Sequence, residues 1–265
     1  MKNVVQTESK HAAPYWQRSG QGSDLILIHG WGMNGAVWHQ TAEQLSEHFR
    51  VHVIDLPGFG HSNHLTFNTL EDLSQQILTE APKNATWLGW SLGGLIATHI
   101  ALQHPEHIAK LITVASSPKF SAHKQWKGIQ PKVLNNFTEQ LVDDFKLTIE
   151  RFMALQAMGS PSARQDIKSL KQAVLSRPLP NTESLIAGLE LLSSIDHRHL
   201  LKQLDIPTLR LYGRLDGLVP KQVATEVDAL MPISDSHVFS ASSHAPFITE
   251  NEQFCQKVIH FAKAK

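Results

Sequence analysis

The sequence predicts an α/β fold with a mostly parallel sheet and a helical insertion, and three observations carry this prediction. Short apolar runs alternate with helical segments along most of the 265 residues, which is typical of parallel strands joined by helices. Between residues 120 and 193 this alternation stops and only helical patterns are found. The pentapeptide at 89–93 has the form G-x-S-x-G and stands between a predicted strand and a predicted helix, where it would form a sharp turn.

The predicted strands are short apolar runs of the kind that is buried on both faces of a parallel sheet. They cover residues 25–28, 51–55, 86–90, 111–115, 208–212 and 237–240. Helices are predicted over residues 70–79, over 92–103 and around 258–262. The second of these ends before Pro105, because proline cannot continue a helix with normal hydrogen bonding.

The predicted insertion begins with apolar residues spaced by three and four, which form a helical stripe. The stripe consists of Leu134, Phe137, Leu141, Phe145, Ile149 and Phe152. Two further helices are predicted over 163–175 and from about 182 to 192. We therefore divide the chain into an α/β core at 1–119 and 194–265 and a helical cap at 120–193. The cap is expected to cover the carboxyl edge of the strands, where ligands bind in such folds.

The composition excludes several classes of protein. Lys plus Arg and Asp plus Glu both number 24, so the chain is not a globally basic nucleic-acid-binding protein. The single cysteine, Cys255, excludes a disulfide framework and multi-cysteine metal sites and fits a reducing cytoplasm. The N-terminal segment is too polar for a signal peptide, and no apolar run reaches the ~18 residues of a membrane span. We expect a cytoplasmic monomer with no membrane or nucleic-acid partner.

The strongest chemical motif is Gly89-Trp90-Ser91-Leu92-Gly93. Its glycines allow backbone segments to approach each other at a strained turn that presents the serine hydroxyl at the top of the sheet. The helix that follows directs its N-terminal amides toward developing negative charge. Ser91 is therefore the predicted nucleophile.

A serine nucleophile needs a base, and the base needs an acid that orients it. His244 lies in a turn-rich segment after the last predicted strand, and Asp216 lies just past the strand at 208–212. Both positions bring a side chain to the carboxyl edge of the sheet, and the order Ser, Asp, His is the one this motif requires. The rival acids Asp196, Asp205 and Asp235 precede strands and are expected at the opposite edge or on the surface.

An oxyanion hole is predicted from two backbone amides. One donor is Leu92, the residue after the nucleophile, and the other is Trp31 in the glycine-rich sequence HGWG at 29–32, which follows the first predicted strand. His29 is expected to order this loop. The alternative for HGWG is a plain glycine-rich turn.

The sixteen histidines raise the question of a metal site. His197 and His199 form a close pair, but no cysteine or H-E-x-x-H partner accompanies them. We therefore predict no metal and no organic cofactor, and only His244 has a strong chemical role. Cys255, far from the motif, is expected to serve packing.

Taken together, these motifs resemble the α/β-hydrolase superfamily, from about residue 25 to the C-terminus. The sequences that carry the resemblance are HGWG at 29–32, DLPGFGHS at 55–62, GWSLGG at 89–94, GRLDGLVP at 213–220 and SSHAPF at 242–247. Within the superfamily, Trp31, the GWSLG motif and RFMALQ at 151–156 are similar to the methyl ester esterases that act on pimeloyl-acyl carrier protein in biotin biosynthesis. The resemblance implies a serine carboxylesterase with an acyl-enzyme intermediate.

The resemblance also implies the residues that bind substrate and partner. The substrate channel would be lined by Trp31, Ser91, Leu92, Phe152, Met153, Ala154, Leu155, Gln156 and His244. The acidic acyl carrier protein would contact Arg151, Arg164 and Lys168 of the cap. Where this family tends to have further arginines, the chain has Leu147, which cannot form an ion pair, and Lys168, which lacks the bidentate fork of arginine.

The charge pattern of the cap agrees with an acidic partner. Residues 146–177 hold six basic and two acidic residues, a net charge of +4. Arg164, Lys168 and Lys171 share one helix face, with apolar residues on another, but an ordinary solvated helix face would look the same.

Three other functions stay open: a general short-chain carboxylesterase, another Ser-His-Asp reaction such as carbon–carbon bond hydrolysis or cofactor-free peroxidation, and a silent ligand receptor or scaffold.

Overall fold

The central element of the computed structural model is a seven-stranded sheet in the order β1-β3-β2-β4-β5-β6-β7. The structure describes residues 13–264, except for the side chains at positions 142, 143 and 145. The strands are β1 Trp16–Ser19, β2 Asp24–Ile28, β3 Arg50–Ile54, β4 Ala85–Trp90, β5 Ile108–Val114, β6 Thr208–Gly213 and β7 Asp235–Phe239. The helices are α1 His39–Ser46, α2 Leu70–Leu78, α3 Leu92–Gln103, α4 Pro131–Asp143, α5 Phe145–Ala157, α6 Ala163–Leu175, α7 Thr182–Ser194, α8 Lys221–Leu230, α9 Pro246–Thr249 and α10 Asn251–Lys263.

The sheet confirms the predicted fold class. All neighbouring strands pair in parallel except β1, which pairs antiparallel with β3. The six predicted strands are β2 to β7, and their predicted and observed ends differ by at most three residues. The sequence WQRS of β1 was not predicted as a strand, because an edge strand with three exposed residues carries no continuous apolar run. Across residues 13–264, no helix combines the length and apolarity needed to cross a membrane.

The core lies on both faces of the central strands. Every residue of β4 and β6 is buried, and so are most residues of α3, which packs on β4 and β5. Burial of apolar side chains is the main driving force for such a layered structure. The loops at the carboxyl ends of these buried strands are therefore held on a rigid frame.

The predicted helical stripe forms two helices rather than one. The chain breaks between α4 and α5 at Asp144, whose backbone is extended and whose carboxylate accepts a hydrogen bond from the Leu147 amide at 3.0 Å. This is an N-cap that starts a new helix, and a stripe of apolar spacings cannot reveal it. The helix predicted over 163–175 has those same ends in α6, and the one predicted to end near 192 reaches Ser194 in α7.

Helices α4 to α7 occupy the segment predicted as the cap, and the division into core and cap stays a prediction. Polar contacts with the loop after β3 fix the start of α7. The Asn181 amide donates to Gly58 O at 2.9 Å, and its side chain donates to Asn63 O and Leu65 O. Just upstream, Arg177 forms a buried ion pair with Asp55 at 2.6 Å.

Candidate active site

The turn between β4 and α3 presents Ser91 at the carboxyl edge of the sheet. Ser91 has a φ of 55°, a left-handed conformation that non-glycine residues rarely adopt and that concentrates at active sites. The turn is tight enough to require glycine on both sides. A Cβ atom on Gly89 would lie 2.2 Å from Gly93 O, and one on Gly93 would lie 2.5 Å from Ile28 O. The glycines of G-x-S-x-G thus let this backbone close without a collision.

Three side chains from separate loops form a hydrogen-bonded chain at this edge. His244 Nε2 lies 2.9 Å from Ser91 Oγ, and His244 Nδ1 lies 2.7 Å from Asp216 Oδ2. Ser91 follows β4, Asp216 follows β6 and His244 follows β7. All three are buried, with exposed fractions of 2%, 5% and 0%. The structure therefore brings the three predicted residues together in the order that proton transfer from the serine requires.

The orientation of Asp216 is fixed by its other carboxylate oxygen. Asp216 Oδ1 accepts hydrogen bonds from the amides of Leu218 at 2.8 Å and Val219 at 3.0 Å. Oδ2 is thereby directed at His244. A carboxylate in this position favours the imidazole tautomer with its proton on Nδ1 and leaves Nε2 free to accept the serine proton.

The rival acids take no part in the hydrogen bonds between Ser91, His244 and Asp216. Asp196 pairs with Arg198 at 2.6 Å and Lys119 at 3.4 Å, and the hydrogen bonds from Arg198 hold the pKa of its carboxyl well below the usual range. Asp205 and Asp235 are exposed.

The backbone of His244 is held by two residues that the sequence did not assign to this position. Trp90 Nε1 donates to His244 O at 2.7 Å, and the His244 amide donates to Gln156 O at 3.0 Å. Next to it, Ser243 Oγ donates to Met158 O at 2.9 Å. His244 is thus held on one side by the turn between β4 and α3, called the elbow below, and on the other side by the end of α5.

The loop after β2 lies directly against the nucleophile. A Cβ atom on Gly30 would be 3.2 Å from Ser91 Cβ. The amides of Trp31 and Leu92, the predicted oxyanion donors, have no hydrogen-bond partner within the described part of the chain. Unpaired backbone donors at such a site are available to a developing oxyanion.

His29 stabilises this loop as a neutral, buried side chain. Its Nδ1 lies 2.8 Å from Gly30 O, and its Nε2 accepts a hydrogen bond from the Leu56 amide at 3.0 Å. Nδ1 therefore carries the proton. Burial is the main cause that lowers the pKa of His29 to about 4.

This lowered pKa predicts a loss of stability in mild acid. Between the ordinary histidine pKa of about 6.5 and the folded value of about 4, the unfolded chain binds a proton that the folded chain does not, so the free energy of unfolding falls as the pH falls. The shifted pKa of His29 should lower the free energy of unfolding by about 3 kcal/mol over this pH range. Urea unfolding at pH 4.5 to 7.5 measures it. The His29→Gln variant should show a shallower pH slope, and a variant of the exposed His39, His39→Gln, should not; equal slopes in all three proteins would contradict the assignment.

The residues predicted to bind substrate divide into two groups. Trp31, Leu92, Phe152, Met153 and Gln156 are buried with the triad. The Phe152 ring stands edge-on to the Trp31 ring, with centroids 4.7 Å apart. Neither polar atom of the Gln156 side chain has a hydrogen-bond partner within residues 13–264, so this buried amide is free for a ligand.

Ala154 and Leu155 do not join that group. Ala154 is exposed and Leu155 half-buried, and both line an outer groove between α4 and α5 with Phe137, Arg151 and Met158. Consecutive residues of a helix point in different directions, so these two side chains face away from the buried group. A substrate contact of Ala154 or Leu155 would therefore be made from this groove, and it stays a prediction.

The basic residues of the helical segment lie on its outside. Arg151, Arg164 and Lys168 are all exposed. Arg151 donates to Gln140 Oε1 at 2.8 Å, and Lys171 pairs with Glu150 at 2.6 Å.

Within residues 13–264 no three metal-ligating side chains are placed to hold an ion. His197 stacks on His99, with ring centroids 5.3 Å apart, and its pKa is lowered to about 4, chiefly by burial. Burial raises the pKa of the Cys255 thiol to about 12, which makes it unreactive.

A family model described as the alpha/beta hydrolase fold matches residues 25–251. The chain is 64% identical over 250 residues to a pimeloyl-[acyl-carrier protein] methyl ester esterase of Vibrio cholerae serotype O1, covering 94% of this chain and 98% of that protein. It is 62% identical to the protein of that name in Vibrio vulnificus strain YJ016, covering 94% and 97%. The chain belongs to the α/β-hydrolase family, in its group of pimeloyl-[acyl-carrier protein] methyl ester esterases.

Solved structures agree with this family at the level of the fold. An esterase from Exiguobacterium antarcticum superposes with a TM-score of 0.85 at 22% identity, covering 95% of this chain and 96% of that one. Among α/β hydrolases the elbow, the acid and the base keep their chain order, which is the order found here. The family model and the relatives confirm the resemblance inferred from the motifs.

Proposed function

We propose that this protein hydrolyses the methyl ester of a pimeloyl chain carried by acyl carrier protein, a step of biotin biosynthesis. The observation that carries the proposal is the buried chain from Ser91 through His244 to Asp216. The names of relatives that match nearly the whole chain support this substrate. The protein acts as a cytoplasmic monomer, with residues 120–193 as a cap over the core.

The first half of the reaction transfers the acyl group to the enzyme. His244 Nε2 takes the proton of Ser91 Oγ as the oxygen attacks the ester carbonyl, and Asp216 stabilises the imidazolium that forms. The amides of Trp31 and Leu92 donate hydrogen bonds to the oxyanion. When the tetrahedral intermediate collapses, His244 returns its proton to the leaving methoxide, and methanol departs.

The second half releases the product by the same groups. His244 removes a proton from a water molecule that attacks the acyl-enzyme, the oxyanion forms again in the same hole, and Ser91 leaves with the proton from His244. The product is a free carboxylate at the end of the pimeloyl chain. Neither half requires a metal or an organic cofactor, since every proton moves between Ser91, His244, the attacking water and the leaving methoxide.

Substrate selection is divided between the inside and the outside of the cap. Inside, Phe152 and Trp31 supply an apolar wall for the methylene chain, and the unpaired Gln156 amide supplies a polar group. Outside, Arg164 and Lys168 offer positive charge to the acidic carrier, with Arg151 nearby on α5. Electrostatic attraction of this kind accelerates encounter more than it tightens binding.

We expect the carrier-bound ester to be hydrolysed with a higher kcat/KM than a small soluble ester, and this advantage to fall with salt. Raising NaCl from 50 to 500 mM should reduce kcat/KM for the carrier-bound ester about fivefold or more, because exposed charges are screened, and should change the soluble ester less. Mass spectrometry of the carrier measures the first reaction, and a p-nitrophenyl butyrate assay measures the second.

Charge reversal locates the effect on the cap. The double variant with Arg164→Glu and Lys168→Glu should lose kcat/KM mainly on the carrier-bound ester, and the control Lys202→Glu, an exposed lysine outside 120–193, should behave as the wild type. A soluble ester hydrolysed as well as the carrier-bound one would indicate a general carboxylesterase instead.

A further inference from the structure

The side chain of Trp31 belongs to the helical segment, although its backbone belongs to the core loop. The indole Nε1 donates a hydrogen bond to Leu185 O of α7 at 2.8 Å. The ring is fully buried and meets Phe152 of α5 edge-on. The residue that supplies a proposed oxyanion donor is therefore held at its other end by two helices of the cap.

A glycine in α7 makes room for this ring. Gly188 lies in the middle of the helix, where glycine is less favourable than alanine. A Cβ atom at this position would lie 2.6 Å from Trp31 Cδ1 and 3.1 Å from Trp31 Nε1, well inside van der Waals contact. No positive φ requires glycine here. Close approach of the indole is thus the observed constraint on this position.

Helix α7 can act as a fixed support because its first turn is attached to the core. Asn181 caps the helix by accepting from the Ser184 amide at 2.7 Å, and its side-chain nitrogen donates to Asn63 O at 2.7 Å and Leu65 O at 2.8 Å. The start of α7 is therefore attached to the loop after β3, and the same helix contacts the indole of Trp31.

We propose that α7 positions the oxyanion hole, with Gly188 as a positioning residue that acts through the Trp31 side chain. A shift of the indole rotates or translates the peptide that carries the Trp31 amide, and oxyanion donors act only within about 2.7–3.1 Å of the developing charge. The position of the cap thereby sets the rate of the chemical step, in addition to any part it has in binding. This inference rests on the oxyanion role of Trp31 in the proposed function.

The test is the variant Gly188→Ala, assayed on p-nitrophenyl butyrate so that carrier docking is not involved. We expect kcat to fall between about 10-fold and the 10²–10³-fold typical of a lost oxyanion donor, with KM changed less. The Ki of a trifluoromethyl ketone, which forms an oxyanion on Ser91, should rise in proportion to the loss of kcat/KM. The acid limb of the pH–rate profile should stay in place, because the His244–Asp216 pair is not moved.

Controls separate this effect from damage to the helix. Ser193→Ala lies on the exposed face of α7 and should leave kcat unchanged. The variant Trp31→Leu lacks the ring that collides with the new methyl group. Adding Gly188→Ala to this variant should therefore lower kcat far less than it does in the wild type, and a double-mutant cycle measures this coupling. Should Gly188→Ala not fold, Trp31→Phe, which cannot donate to Leu185 O, must show the same loss of kcat and of ketone affinity.

The outcomes distinguish this inference from the proposed function. A folded Gly188→Ala protein with kcat within twofold of wild type, or fully additive effects in the cycle, would overturn the role of α7 while leaving the esterase intact. If the ketone fails to inhibit the wild-type protein, the serine mechanism itself is at fault. A loss of kcat with a displaced pH–rate profile would show that α7 acts on His244 rather than on the oxyanion loop.

Discussion

Replacement of Ser91 by alanine should abolish ester hydrolysis while leaving the fold intact. Loss of the serine in a related triad lowers kcat by about 10⁶-fold, and we expect a loss of about 10⁴–10⁶-fold here. The reason is that no other hydroxyl shares a hydrogen bond with His244 Nε2 in the described structure, so nothing can substitute as nucleophile. Initial rates on p-nitrophenyl butyrate and on the carrier-bound methyl ester measure the change.

Stability provides the control for this result. Alanine is as compatible as serine with the left-handed backbone at position 91, and the substitution removes one hydrogen bond, worth about 1 kcal/mol. The unfolding temperature of Ser91→Ala should therefore lie close to that of the wild type. The control variant Ser176→Ala, at an exposed serine at the end of α6, should keep the activity of the wild type. Turnover near the wild-type level in Ser91→Ala would refute the assignment of the nucleophile.

The parts of the site that could be predicted from the sequence are those with a local signal. The elbow around Ser91 combines a motif, a preceding apolar run and a following helix, all within 20 residues. Asp216 and His244 were placed by the position of their loops after predicted strands, which a parallel sheet brings to one edge. Their hydrogen-bonded geometry in the structure agrees with this reasoning, and their chemical roles stay predictions until variants are measured.

Other features depend on contacts between distant segments. The bonds from Trp31 to Leu185 O and from Trp90 to His244 O each join residues 154 positions apart. Periodicity and motif spacing describe only neighbours along the chain, so they cannot reveal which indole meets which carbonyl. Even the local break between α4 and α5 at Asp144 cannot be predicted from the spacing, because the apolar spacing continues unchanged across it.

Conversion of Asp216 to asparagine should reduce kcat by about 10⁴-fold, as the corresponding change does in another Ser-His-Asp enzyme. The surroundings of the carboxylate explain why asparagine is not a mild replacement. Oδ1 accepts two backbone amides, from Leu218 and Val219, so the oxygen of an asparagine must take that place. Its NH₂ group is then directed at His244 Nδ1, where Oδ2 now lies at 2.7 Å.

An NH₂ group can only donate, so His244 Nδ1 must become the acceptor and its proton must move to Nε2. That nitrogen then faces Ser91 Oγ with a proton and cannot act as a base. Measurements of kcat and KM for Asp216→Asn should show the loss almost entirely in kcat, with Asp205→Asn, a change at an exposed acid, as the matched control. Stability should change little, since asparagine keeps the shape and one set of hydrogen bonds. If Asp216→Asn keeps more than a tenth of wild-type kcat, another group must orient His244, and the assignment of the acid fails.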